Sequence, residues 1–329
     1  MFALIFASSS AWPPVVDPRR VNAPIVPFAL EPLQWGAVEP RGWILEWAET
    51  LARGAASPTC AAFATLQKGA VDGWKNGRPS DGGFWDEDSA YWIDGIARLG
   101  LILHDDSLVA RAKADFDHVL AHPFDFHNTF PGDAVEGWVR SIYSRGMLAY
   151  YDGTGDARVL AFLESAFANY TAADSTMHTD QQHQGSRSMT QMEALLETHA
   201  FGGDEALRDV ALALTTSASP NNGSLVLAQI STPECANGGD ADAIRAGRCD
   251  QHTHGVTFNE VMKCFAMGAP WEADAARRAM LLNASISAFE MVERWDMQPH
   301  GVNSADEVSV LLFTVTFYAN LAHNLTRSP

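Results

Sequence analysis

The feature that most constrains the fold is a repeated pair of helical patterns joined by a short turn rich in Asp and Gly. Within residues 87–103, for example, apolar side chains follow each other at steps of four, three and four, as on one face of a helix: Trp92, Ile96, Leu99 and Leu103. Such turns occur in LILHDDSLVARA, AYYDGTGDARVL, HAFGGDEALRDV and MGAPWEADAARR. Alternating strand patterns are nearly absent before residue 308, so the sequence predicts an all-α fold.

The spacing of the turns predicts how the helices assemble. One aspartate marks each turn, and the first three are about 50 residues apart: Asp105, Asp156, Asp204 and Asp274. A repeat of two helices implies stacked α-hairpins in which one helix faces the centre and the next faces outward. The segments LGLILH and RGMLAYY are apolar on nearly all sides, as inner helices are. A closed α/α toroid is the preferred architecture, and an open α-solenoid is the alternative.

Charge and composition exclude several classes of partner. The chain has 22 Lys and Arg against 40 Asp and Glu, a formal charge of -18, so nucleic acid and anionic membrane surfaces would repel it. No segment reaches the ~20 apolar residues that a membrane span needs. Ten Trp, six Tyr and 17 Phe suit a core and also suit stacking against sugar rings. The sequence does not indicate an oligomeric state.

The start of the chain, its cysteines and its sequons bear on the cellular compartment of the protein. Residues 1–37 combine a weak leader-like start, MFALIFASSSAWPP, with a Pro-rich extended arm. Cys235 and Cys249 bracket a Gly/Asp-rich loop and either close it as a disulfide or stay free thiols. Four N-x-S/T sequons are compatible with secretion or the secretory pathway, although a cytoplasmic location stays open: Asn169, Asn222, Asn283 and Asn324.

One segment, GFWDEDSAYWIDG at residues 83–95, sets aromatic rings among acidic side chains. Trp85 and Trp92 offer flat faces, and Asp86, Asp88 and Asp94 offer carboxylates. Sugars bind such sets because their C–H faces stack on the rings while their hydroxyls donate to the carboxylates. The alternative is a helix N-terminus, where first-turn acids complement the helix dipole and Trp92 packs in the core.

A second segment, CDQHTHGVTFNEVMK at residues 249–263, holds His252 and His254, which point to the same side if the chain is extended. This arrangement suits a polar ligand, and a metal is the lesser alternative because no third ligand stands at a diagnostic spacing. Glu260 and Lys263 lie three residues apart on the following helix, which favours an ion pair over a catalytic role.

The third segment, QPHGVNSADE at residues 298–307, ends in two adjacent acids, Asp306 and Glu307. A loop-borne acid of this kind suits a general acid. The alternative is a helix cap at Ser304 followed by two first-turn acids.

Five segments occur in this order: GAVEPRGWILEW, FWDEDSAYWIDGIARLG, AYYDGTGDARVL, HGVTFNEVMK and HGVNSADE. With them, residues from roughly 30 to 307 resemble the α/α-toroid domain of glycoside hydrolase family 127, the β-L-arabinofuranosidase-like proteins, and the domain is expected to span residues 38–307. The resemblance implies an (α/α)6-type toroid, incomplete in this chain, and release of a non-reducing-end L-arabinofuranose or a related sugar. It implies that Glu307 is the acid/base, that His254 contacts the ligand in a cup, and that Trp85, Asp86, Asp88 and Trp92 line that cup.

Departures from the family qualify this expectation. The family carries a cysteine thiolate nucleophile held on zinc, in a Glu-x-Cys segment and a Cys-rich segment, and this sequence contains neither; its last cysteine is Cys264. Zinc is therefore expected in the complete family domain and no metal site in this chain. The family often has histidine at the positions of Trp138, Arg140 and Arg187. The residues expected to bind substrate also include Trp138, Arg187 and His252. The tail at residues 308–329 differs in composition and fits a translated intron.

Three functions follow from these features. The first is a glycosidase that takes a carbohydrate substrate. The second is an inactive fragment that at most binds carbohydrate. The third is another toroid enzyme, such as an unsaturated glucuronyl hydrolase, in which Asp86, Asp88 or Asp94 is catalytic without zinc.

Overall fold

The computed structural model describes residues 20–28, 30, 32–54, 85–121, 135–168, 188–216, 230–236, 239–245, 255–295, 297 and 301; side chains are described from Ala90 in the second helix, from Arg140 in the fourth and from Asn259 in the ninth. Ten α-helices lie in these ranges: α1 Trp43–Arg53, α2 Trp85–Leu103, α3 Asp106–Ala121, α4 Val135–Thr154, α5 Ala157–Phe167, α6 Gln191–Phe201, α7 Glu205–Ala213, α8 Ala241–Arg245, α9 Gly255–Gly268 and α10 Ala275–Trp295. Short 3-10 turns, Ser188–Thr190 and Ala269–Trp271, precede α6 and follow α9. These ranges contain no β-sheet, which confirms the all-α prediction.

The predicted Asp/Gly turns are the turns of four helical hairpins, α2–α3, α4–α5, α6–α7 and α9–α10. In each hairpin the aspartate side chain accepts a hydrogen bond from a backbone N–H in the first turn of the second helix, which satisfies a donor that has no partner within the helix. The four pairs are Asp105 Oδ1 with Ser107 N at 2.9 Å, Asp156 Oδ1 with Arg158 N at 3.2 Å, Asp204 Oδ1 with Ala206 N at 2.8 Å and Asp274 Oδ1 with Arg277 N at 2.8 Å.

The two helices of a hairpin differ in burial, as the inner and outer roles predict. Nine residues of α6 are buried, against Leu207 and Ala211 in α7. In α4 the apolar run predicted for an inner helix is also buried, with Met147 and Leu148 inaccessible to solvent.

The buried face of α2 differs from the predicted one. Of the four apolar residues that define the predicted face, Ile96 is buried, whereas Trp92, Leu99 and Leu103 are only half-buried. The most buried side carries Ala90, Ile93, Ala97 and Leu101 instead. These residues also follow helical spacing, and the predicted face was wrong because α2 is apolar on more than one side.

The described residues fall into two compact units. The first lies within residues 32–129 and 142–162, and the second within residues 20–31, 130–141 and 163–329. The predicted boundaries at residues 37 and 307 stay predictions. No helix in the described ranges is both long and apolar enough to span a membrane.

In the first unit α2 packs against α1 and α3. The ring of Phe116 on α3 lies 5.7 Å from that of Tyr143 and 5.2 Å from that of Tyr150, both on α4. Burial raises the pKa of the Tyr143 phenol well above its usual value, and it raises the pKa of Tyr150 to about 12. At neutral pH these phenols are therefore uncharged parts of the core.

Charged side chains join the surface of this unit. The guanidinium of Arg158 donates to Asp156 and, at 2.8 Å, to Asp117 across the α3–α5 surface. The hydrogen bond from Arg158 lowers the pKa of Asp156. The hydrogen bond from Lys113 is the main cause of the lowered pKa of Asp117.

In the second unit α6 packs against α7 and α9, and α9 packs against α10. The Ser285 hydroxyl of α10 donates to the Met262 carbonyl of α9 at 2.7 Å.

Residues 20–28 of the N-terminal arm have no helix or strand, and hydrogen bonds hold this part of the arm to the second unit. The Asn22 backbone N–H donates to the Ala200 carbonyl at 3.1 Å, and its side-chain amide donates to the carbonyls of His199 and Gly203 at 2.7 and 3.0 Å. His199 and Ala200 lie in the last turn of α6, where carbonyls lack partners within the helix, and Gly203 follows its end. The arm therefore caps α6 from a distant part of the sequence.

Candidate functional site

Most residues predicted to contact a sugar adjoin the N-terminal end of the first helix of a hairpin. Trp85, Asp86 and Asp88 open α2, and Trp138 lies in the first turn of α4, although their side chains are outside the described residues. Arg187 directly precedes the 3-10 turn that leads into α6.

The remaining predicted residues lie outside the described ranges. His252 and His254 come just before α9 in sequence, and Glu307 comes after α10. The structure does not describe their side chains, so the roles assigned to them stay predictions.

Trp92 is half-buried on α2. The guanidinium carbon of Arg111 on α3 lies 5.4 Å from the centre of the Trp92 ring, within the range of a cation–π interaction. Arg111 Nε in turn lies 3.7 Å from Asp115 Oδ2. Trp92 thus helps to pack α2 against α3, as the core alternative predicts, and its contact with a sugar stays a prediction.

Asp94 is paired with Arg98 one turn further along α2. Arg98 Nε donates to Asp94 Oδ1 at 2.6 Å, and the Asp94 side chain is 15% exposed. The guanidinium carbon of Arg98 lies 4.5 Å from the centre of the Trp35 ring, and the Trp35 N–H donates to Asp152 Oδ2 at 2.7 Å. The Asp94 carboxylate is therefore held by Arg98, which itself lies over the ring of Trp35.

A cluster of three charged side chains joins α6 and α9 in the second unit. Lys263 Nζ donates to Glu193 Oε2 at 2.6 Å and lies 3.5 Å from Glu260 Oε2. The side chains of Lys263, Glu193 and Glu260 are 18%, 17% and 16% exposed. The predicted ion pair between Glu260 and Lys263 is confirmed, but the shorter contact is to Glu193.

Buried polar side chains occur on the same two helices. Gln191 is inaccessible to solvent and Asn259 is 4% exposed. Just before α6, the Ser141 hydroxyl donates to the Thr190 carbonyl at 2.7 Å. Carboxylates can accept hydrogen bonds from the hydroxyls of a sugar, and amides can both accept hydrogen bonds from them and donate hydrogen bonds to them. The first turn of α6 and the second and third turns of α9 thus form the described candidate site.

Sequence reasoning missed Glu193, Gln191 and Asn259. Glu193 and Lys263 are 70 residues apart, so no local spacing rule connects them. The one available signal is weak. Each of the three is a polar residue in a helix whose other side chains are mostly apolar, and such a position indicates a specific hydrogen-bond or ion-pair partner.

The described residues do not fit the zinc site that the resemblance implies. They contain no group of three or more His, Cys, Asp or Glu that could hold a metal ion. Cys264 is buried, and its thiol donates to the Met189 carbonyl at 3.2 Å, in the packing between α9 and the turn before α6. No reaction step is therefore assigned to zinc.

Cys235 is disulfide-bonded and fully buried. The free-thiol alternative is therefore wrong for this residue. Its partner lies outside the described residues, so the pairing with Cys249 stays a prediction.

Comparisons with known protein families, curated proteins and solved structures find no match for this chain. Its functional assignment therefore depends on the chemistry of its own residues.

Proposed function

We propose that this chain is the helical domain of a glycoside hydrolase resembling family 127, built as an (α/α)6-type toroid, which in its full-length form acts on a non-reducing-end L-arabinofuranose or a related sugar. The residues proposed to contact the sugar include Trp85, Trp138 and Arg187, each of which adjoins in the sequence the N-terminal end of the first helix of its hairpin.

One observation supports the proposal most directly. In the second unit, α6 and α9 are largely buried helices, yet they share partly buried carboxylates, an ammonium and buried amides. Burying charged and polar groups costs free energy unless partners satisfy them. A site that binds hydroxyl groups uses such side chains, whereas an apolar core of the same size would need none of them.

In the proposed reaction of the full-length protein, Glu307 would give a proton to the oxygen of the leaving group while the nucleophile, a cysteine thiolate in the family, displaces that oxygen at the anomeric carbon. Water would then release the sugar from the sulfur. The rings of Trp85 and Trp138 stack on the sugar, Asp86 and Asp88 accept hydrogen bonds from its hydroxyls, and the histidines accept or donate them. The resemblance implies a zinc-held thiolate as the nucleophile, for which the described residues offer no site.

The proposed location is the secretory pathway. The disulfide at Cys235 supports it, because disulfides persist in oxidising compartments. Among the sequons, Asn283 is exposed but lies within α10, and its partner Ser285 is buried. This sequon is therefore not in a surface loop, the usual setting of an acceptor asparagine.

The test is release of arabinose from an L-arabinofuranosyl disaccharide by the purified chain, measured by chromatography. We expect Glu307→Gln to lower the rate by about 100-fold or more, the usual contribution of a general acid. Glu293→Gln, on the exposed side of α10, is the matched control and should retain the parent rate.

Other outcomes would select the alternatives. If the parent chain releases no arabinose but binds the disaccharide in calorimetry, it is a carbohydrate-binding fragment. If it instead cleaves an unsaturated glucuronyl disaccharide in the presence of a zinc chelator, and Asp88→Asn abolishes this, it is a glucuronyl hydrolase.

A further inference from the structure

The outward face of α1 combines two tryptophans with a carboxylate. Trp43, Glu46, Trp47 and Thr50 stand at positions i, i+3, i+4 and i+7, which share one side of a helix. All four are exposed, and the two tryptophans are 69% and 62% exposed. Ala48 is the buried residue of α1 and marks the opposite side, where the helix packs against α2.

The two indole rings form one surface. They are stacked on each other, with their centres 6.3 Å apart and their planes inclined by 27°, so they present one aromatic cluster to an extended ligand. Tryptophan is highly buried on average, and Trp271 in the second unit is 4% exposed. Two neighbouring, largely exposed tryptophans therefore indicate a binding surface.

The charge of this surface restricts its ligand. Glu49 is engaged by Arg53, with 3.2 Å between Oε2 and Nη1. Within the described part of the chain, no cation pairs with the carboxylate of Glu46, which stands between the two tryptophans. The whole chain carries a formal charge of -18. An anionic ligand would therefore be repelled.

A carbohydrate satisfies this surface better than an apolar protein partner does. A protein that covered the tryptophans would also bury Glu46 without a partner, which is costly. A neutral sugar places its C–H face on the indole rings and donates hydroxyl hydrogens to the carboxylate. One ligand chemistry then accounts for both the exposed rings and the carboxylate between them.

We propose that Trp43, Glu46 and Trp47 form a non-catalytic binding surface for a neutral polysaccharide. The class of ligand rests on the proposed function, but the surface is independent of Glu307 and of the α6–α9 site. Its role is to hold the chain on a polymeric substrate.

The test is native affinity electrophoresis of the full chain in gels that contain soluble neutral arabinoxylan, with polygalacturonate gels for comparison. We expect arabinoxylan to retard the parent chain and polygalacturonate not to. Trp43→Ala/Trp47→Ala should weaken apparent binding by about tenfold or more, and Glu46→Ala should weaken it less. The matched control is Ile44→Ser/Leu51→Ser, which removes exposed apolar side chains (49% and 47% exposed) from the same helix.

Circular dichroism of each variant reports whether the fold is kept, as expected for exposed positions. The proposal is overturned if arabinoxylan retards Trp43→Ala/Trp47→Ala as strongly as the parent, or if it does not retard the parent. It is also overturned if Ile44→Ser/Leu51→Ser loses retardation equally, since the face is then an apolar docking surface. Unchanged retardation of Glu307→Gln is expected. If the parent is retarded but never releases arabinose, the proposed function fails and this surface stands.

Discussion

Replacing Lys263 by Met tests whether the charged cluster between α6 and α9 is a partly buried, mutually dependent unit. The substitution keeps most of the aliphatic side chain and removes the ammonium that lies 2.6 Å from Glu193 and 3.5 Å from Glu260. Two carboxylates, each less than a fifth exposed, are then left near each other without their cation. Both the loss of attraction and the repulsion between like charges destabilise the folded state.

The magnitude lies between two limits. Exposed ion pairs contribute about 0–1 kcal/mol, and removing one partner of a fully buried pair costs about 3–5 kcal/mol. Because these side chains retain some contact with water, we expect Lys263→Met to lower the free energy of unfolding by about 2 kcal/mol. Glu193→Gln should cost less, since Lys263 keeps Glu260, and Glu260→Gln should cost least because its contact is the longer one.

Urea unfolding at pH 7, followed by circular dichroism, measures these changes. A double-mutant cycle gives the coupling of Lys263 to each glutamate, which we expect to be about 1–2 kcal/mol for Glu193 and smaller for Glu260. Lys113→Met is the matched control, because Lys113 lies 2.5 Å from Asp117 but both side chains are much more exposed, at 45% and 39%. The reasoning is refuted if Lys113→Met costs as much as Lys263→Met, or if Glu260 couples more strongly than Glu193.

Three further predictions concern packing, pH and redox state. A Cβ at Gly146 would lie 3.0 Å from the α2 backbone, whereas one at Gly95 would meet nothing within 4 Å. In urea unfolding, Gly146→Val should therefore lower the free energy of unfolding by about 2 kcal/mol. Gly95→Ala should raise it by up to about 1 kcal/mol. The pKa of Asp156 is lowered in the folded state by its neighbouring guanidinium. The stabilising effect of this carboxylate is therefore present above about pH 4 and is lost as the pH falls through the lowered pKa. The difference in urea midpoint between the parent and Asp156→Asn should shrink from pH 6 to pH 3, and a constant difference would contradict this. Peptide mapping without reduction should yield one linked peptide holding Cys235 and Cys249, and a link from Cys235 to any other cysteine would show that the predicted pairing is wrong.

The hairpins could be predicted because their signals are local. Asp105 and Asp204 cap helices through N–H groups two residues away, so each cap is visible in a few letters of sequence. The apolar run around Met147 likewise marks a buried helix by itself. The α2 face was predicted less well, because apolar residues lie on more than one side of this helix and the buried side is the one with Ala90, Ile93, Ala97 and Leu101.

The candidate site could not be predicted in the same way. Glu193 and Lys263 become partners only through packing of α6 on α9, and nothing near either residue indicates the other. By contrast, the ion pair between Glu260 and Lys263 follows from their spacing on one helix, since residues three apart are neighbours there. The sequence therefore indicated which side chains carry unusual chemistry, but not which of them meet.

The cap that the arm places on α6 has a consequence for the order in which the protein forms during its synthesis. Asn22 precedes its acceptor His199 by 177 residues, and at roughly 5–20 residues per second the ribosome needs about 10 to 35 seconds to cover that distance. The arm leaves the ribosome early, yet the carbonyls that hold it exist only after Gly203 has been added. Its attachment is therefore a late event, which marks that the chain has been built beyond α6.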